Sequence, residues 1–152
     1  MSNYIVYLGA VGWTHAAWER CFYPDGLPAD WQLSFYNTQF RCTYLPMAQW
    51  RNASDEEVAG WLQEPQQGFR FVLGGAGEWS ADDVPKAARF GNRAVREAEA
   101  DICWLEGEPD LRELARRMQS AARTGVPLYV ISRDAALAAL GKVRELMDVL
   151  GV

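Results

Sequence analysis

One histidine and three cysteines are all that this chain offers to transition metals and to thiol chemistry. His15 has no second imidazole to join it, and Cys21, Cys42 and Cys103 show no CxxC spacing, so a metal site of the usual His/Cys kind is excluded. Cysteines that are odd in number and scattered read as the reduced thiols of a cytoplasmic protein. Lysine is scarce, and 15 basic against 20 acidic residues leave a net charge of -5, which argues against nucleic acid as the main partner. No apolar run approaches the ~20 residues of a membrane span. The N-terminal MSNYIVYLGAVGW lacks the basic region that opens a signal peptide. Linkers, internal repeats and low-complexity segments are also missing, so residues 1–152 read as a single domain.

What is present is an apolar, aromatic-rich globular composition, 49% hydrophobic and 12% aromatic, in a chain of 152 residues long enough for one sizeable core. Short β-branched or aromatic runs alternate with longer amphipathic segments. The pattern predicts strands at Tyr4–Leu8, Arg41–Leu45, Phe69–Leu73, Ile102–Leu105 and Leu128–Ile131. Helix signals fall between them: Asp30 before Trp31–Gln39, a Ser54/Glu57 capping box, a looser Ser80/Asp83 pair, and apolar faces after Pro109 and from Leu137 to Leu150. Five strand–helix units of about 30 residues imply α/β architecture with a parallel sheet and right-handed crossovers. YIVYL and LYVI are apolar on both faces, as buried parallel strands are. A five-stranded doubly wound sheet satisfies this alternation. So does an arc of a (β/α) barrel.

The segment from Gly12 to Phe40 gathers Gly12-Trp13, Trp18, Phe22-Tyr23-Pro24, Leu27-Pro28 and Phe40 into one connection. In this order they resemble the N-terminal signature of the YecE-like family, a domain of unknown function. The match runs on weakly through Trp50 and Trp61 to GFRFVL at Gly68–Leu73. The resemblance implies a barrel of the triosephosphate-isomerase type, which needs roughly 250 residues for eight units. A chain of this length therefore reads as a shortened member with a partial TIM-type barrel of about five units. The family carries an acidic residue and an asparagine in and after its second strand, where this chain has Tyr44 and Pro46. A lysine common at the end of its third strand is matched by Gly74. Of an acid and an arginine that can end its fifth strand only Arg133 remains, with Ile131 in place of the acid. The aromatic scaffold is kept and the polar set is not, which points to a non-catalytic, or at least atypical, protein.

Sites in parallel α/β folds lie beyond the carboxyl ends of the strands. That rule selects Trp13 and His15 after the first strand, Tyr44 at the end of the second, Gly74, Gly75 and Gly77 after the third, Glu106 after the fourth and Arg133 after the fifth. Together they would line a pocket for a small molecule such as an anion. Glycine amides near a helix start can hold an anion, although Glu78 beside them would oppose it, and a permissive turn is the commoner reason for such glycines. Trp13 is the tryptophan best placed for ligand contact, while Trp18, Phe22 and Trp31 are expected to close the core. A hydrolase using His15 or Glu106 as base with Arg133 in support is the enzymatic alternative, though lone histidines are more often packed side chains. Cys21 near His15 and a carboxylate metal site of Glu78, Glu106 and Asp134 are weaker candidates, and no cofactor is indicated. A third alternative is an interaction module whose aromatic loop binds a protein. Five strands leave open edges, expected at the first and last strands, and so predict a homodimer.

Overall fold

The computed structural model describes residues 4–66, 68–75, 77 and 79–152. Six strands form one parallel sheet: β1 Val6–Val11, β2 Cys42–Leu45, β3 Arg70–Leu73, β4 Ala94–Arg96, β5 Asp101–Leu105 and β6 Leu128–Ser132. Between them run helices α1 Gln32–Gln39, α2 Met47–Asn52, α3 Asp55–Gln63, α4 Asp83–Ala88, α5 Leu111–Thr124 and, at the end, α6 Leu137–Leu150. Every pairing is parallel, and the strand order is β4-β3-β2-β1-β6-β5.

That order identifies the architecture. A doubly wound sheet reverses direction at a switch point, whereas here each neighbouring step runs the same way and the last strand pairs with the first, as in a closed barrel. The sheet is a curled half-barrel flanked by helices, open between β4 and β5. The short connection across the opening is possible only because the sheet curls. Only residues 97–100 separate β4 from β5, so the two edges lie within about 18 Å of chain. In a flat sheet, five strand spacings of about 4.8 Å would hold them about 24 Å apart. The partial barrel is thus what the chain forms, and the doubly wound alternative is not.

Two details of the expected topology are corrected. A sixth strand, Ala94–Arg96, was not foreseen, because three residues are too few to show a period. The open edges are β4 and β5, while β1 and β6 lie side by side in the middle of the sheet, from Val6 against Leu128 to Ala10 against Ser132. In a barrel the first and last strands are each other's neighbours, whatever is missing elsewhere.

Alternate residues divide the core in two. Val6, Leu8, Ala10, Leu45, Phe71, Leu73, Leu128 and Val130 join helix residues such as Tyr36, Trp50, Leu114, Met118 and Leu140 in the outer layer. Tyr7, Cys42, Val72, Tyr129 and Ile131 form the inner, concave layer, with Tyr44, Val95, Ala100, Ile102 and Trp104 packed around them. Tyr7 and Tyr129 stack at 4.9 Å, and large rings fill a hollow that a closed barrel would fill with layers from eight strands.

Gly9 sets the β1–β2 spacing. A Cβ there would stand 1.9 Å from the Cys42 carbonyl oxygen. Tyr36 fixes this close approach: its hydroxyl accepts from the Ala10 N–H at 2.8 Å and donates to the Cys42 carbonyl at 2.6 Å. Burial drives the Tyr36 phenol pKa well upward, so it remains a donor. The Ser54/Glu57 box forms in both directions. Asp30 is not a helix cap, because a 3-10 turn at Ala29–Trp31 encloses it before α1 begins. Asp83 bonds the Ser80 N–H at 2.7 Å, but its carboxylate is chiefly gripped in bidentate fashion by Arg51 at 2.6 and 2.7 Å.

Candidate functional site at the strand carboxyl ends

Five strand ends converge on one polar and aromatic group. Tyr44 projects from β2 on the concave side, and its hydroxyl donates to Glu97 Oε1 at 2.6 Å. Glu97 begins the strap that crosses the open seam, and the same oxygen accepts from the Gly75 N–H at 2.9 Å. The Trp104 ring, from β5, meets Tyr44 edge-on with centroids 5.0 Å apart. Arg133, just past β6, lays its guanidinium 4.0 Å above Trp104. Burial, followed by the hydrogen bond to Glu97 and that group's charge, pushes the Tyr44 phenol pKa up against the opposing effects of the Gly75 amide and Arg133. Tyr44 is therefore a fixed neutral donor.

The glycines are required here for space. A Cβ on Gly74 would stand 2.5 Å from the Tyr44 hydroxyl and 2.9 Å from the Leu45 carbonyl. Gly75, at a φ of +113°, would drive one to 2.0 Å from Met47 Cε. Gly77 is exposed with open space around its Cα, and Glu78 lies outside the described residues. The Gly75 amide, a candidate anion donor by sequence, is taken by Glu97.

Of the residues selected by sequence, the fold therefore brings together Tyr44, Gly74, Gly75 and Arg133. Trp13 is only 5% exposed and packs edge-on against Trp61 in the outer layer. His15 rests against Trp18 at 4.5 Å, with its Nε2 enclosed and unbonded. Glu106 is exposed and makes no hydrogen bond or ion pair among the described residues. Trp18 is 1% exposed and donates to the Ala135 carbonyl at 3.0 Å, closing the core as expected, whereas Trp31 is 62% exposed. Asp134 is a structural carboxylate: it accepts from the Gly107 N–H, the Ser132 hydroxyl and the Ala136 N–H, which hold its pKa below the ordinary value. Among the described residues no three His, Cys, Asp or Glu side chains group to hold a metal.

Sequence reading missed Glu97 and Trp104. Trp104 had a usable signal, since it alternates with Ile102 on a short apolar strand and so shares its face. Glu97 had none, because it follows a strand that leaves no periodic trace.

The family model for "Protein of unknown function DUF72" matches residues 7–88, just over half of the chain. The chain belongs to this family. The matched span covers β1 to α4 and contains the aromatic connection, Tyr44 and the glycine turn, while Glu97, Trp104 and Arg133 lie beyond it. No curated protein and no solved structure matches the chain. Among the described residues no helix is long and apolar enough to cross a membrane.

Proposed function

We propose that this DUF72 protein is a non-catalytic or atypical member that binds a small anionic molecule at the carboxyl ends of its strands, with Arg133 as the charge that holds it. The observation that carries this reading is the state of Arg133. It is exposed, braced on Trp104, and has no ion pair or side-chain hydrogen bond among the described residues. A guanidinium held by an aromatic face keeps its fork of N–H donors free for a carboxylate or phosphate. Glu97 carries the opposing charge, but its Oε1 is held by Tyr44 and Gly75 and it makes no ion pair with Arg133 among the described residues. The hydrolase alternative draws no comparable support, because His15 packs on Trp18 and Glu106 stands alone in solvent.

Calorimetric titration with a panel of small carboxylates and phosphates tests this reading. At least one should bind, and Arg133→Ala should weaken it about tenfold or more, a loss of roughly 1.4 kcal/mol. A panel in which no binder is weakened by Arg133→Ala, or which holds no binder at all, would reject it.

A homodimer remains part of the proposal, with the edges now assigned to β4 and β5. β4 offers three residues and ends in Arg96, so the longer β5 is the edge that a second copy would cover, in an interface of more than about 1,200 Å² in total. Light scattering showing a 17.1 kDa species on dilution would exclude it. A cytoplasmic location is supported by the three thiols, all unpaired, with Cys42 fully buried and raised in pKa by that burial.

A further inference from the structure

We propose that the chain carries a second anion site at the opposite end of the sheet, where Arg41 and Arg144 face one cleft, and that this site takes the phosphate of a small phosphomonoester. The cleft has a volume of about 410 Å³. Its walls come from the turn before β2, the turn before β3 and the second half of α6, so it lies at the amino ends of the strands. A smaller hollow of about 110 Å³ adjoins it and shares Gln39, Arg41 and Arg144.

Both arginines are half-buried, and both are oriented by neutral groups. Arg41 donates from Nη1 to the Val6 carbonyl at 2.9 Å and lies 4.0 Å over the Tyr4 ring. Arg144 donates from Nη1 to the Gln39 side-chain oxygen. Neither reaches a carboxylate within ion-pair distance among the described residues. Asp148 lines only the smaller hollow. Two like charges sharing one cleft repel unless an anion joins them. A guanidinium carries five N–H donors, so one bond apiece leaves most of each fork unused.

The remaining wall favours an ester over a bare ion. Asn37, Gln39 and Gln66 contribute neutral side chains to the lining, and no carboxylate among the described residues does. Asn37 is held in place, accepting from the Gln66 N–H at 2.8 Å and donating to the Phe40 carbonyl at 3.0 Å. Neutral hydrogen-bonding walls beside two cations match a phosphate on a hydroxylated body such as a sugar.

The test is a ¹H–¹⁵N NMR titration of the full chain with glucose 6-phosphate, with inorganic phosphate and glucose as comparisons. We expect saturable shifts at Gln39, Arg41, Gly68 and the Arg144 side chain with glucose 6-phosphate, weaker ones with phosphate and none with glucose. Arg144→Met should weaken this binding at least tenfold, while Arg133→Ala leaves it unchanged. Three results would overturn the proposal: no saturable shift up to roughly 10 mM, a bound too weak for a built site; wild-type binding retained in Arg144→Met; or shifts confined to Gly74, Gly75 and Arg133. The last would assign the phosphoester to the other end of the sheet. The wild-type titration locates the ligand even if a variant fails to fold.

Discussion

Replacing Trp18 by alanine is the sharpest test of how the aromatic connection holds the fold. The indole is 1% exposed and touches the rings of His15, Phe22, Tyr23, Tyr36 and Phe40, with centroids 4.5 to 6.2 Å away. Its N–H also ties the connection after β1 to Ala135, beyond β6. Truncating a fully enclosed aromatic side chain costs about 3–5 kcal/mol, part lost transfer energy and part residual cavity. For a chain of this size each kcal/mol moves Tm by about 2–4 °C, so a fall of roughly 12 °C is expected. Trp18→Phe separates the contributions. It keeps most of the ring packing but leaves the Ala135 carbonyl without its donor, at a cost of about 1–3 kcal/mol. Trp31→Ala, at a position 62% exposed, should stay within about 0.5 kcal/mol of the parent. Urea unfolding of the three variants at constant m-value gives the comparison. A Trp18→Ala protein as stable as Trp31→Ala would refute the view that Trp18 closes the core.

Gly9→Ala should destabilise by about 3 kcal/mol or more, the upper end of overpacking costs, because its methyl would overlap the Cys42 carbonyl; chemical denaturation measures it. Gly60→Ala, inside α3 with open space at its Cα, should instead stabilise by about 0.5–1 kcal/mol, and a loss of stability would contradict the described helix. Asp83, paired with Arg51, titrates at about 2 instead of its ordinary 3.8. Its contribution is therefore complete above about pH 4 and is lost as pH falls toward 2, because the unfolded chain takes up the proton first. Asp83→Asn should flatten that part of the acid-unfolding curve, and an unchanged slope between pH 4 and 2 would show the pair to be uncoupled from folding.

The chain's own pattern determined a good deal. Runs such as LYVI, apolar on both faces, specify buried parallel strands without reference to anything distant, because period and composition are local properties. The Ser54/Glu57 box likewise forms from residues three apart. The aromatic connection pointed to the family and hence to an arc of a barrel, and Tyr44, Gly74, Gly75 and Arg133 were selected by the rule that sites follow strand carboxyl ends. Tertiary structure decided the rest. Which strands are edges depends on β6 returning to β1, a pairing between residues more than a hundred positions apart. Trp13 and His15 obey the same strand-end rule as Tyr44, yet packing turns them against Trp61 and Trp18, since a ring gains more from enclosure by other rings than from solvent. Glu97 joins Tyr44 across 53 positions because the strap between β4 and β5 must cross the open side of the half-barrel. No periodicity records that crossing: it follows from the curvature of the whole sheet, which exists only once all six strands have paired.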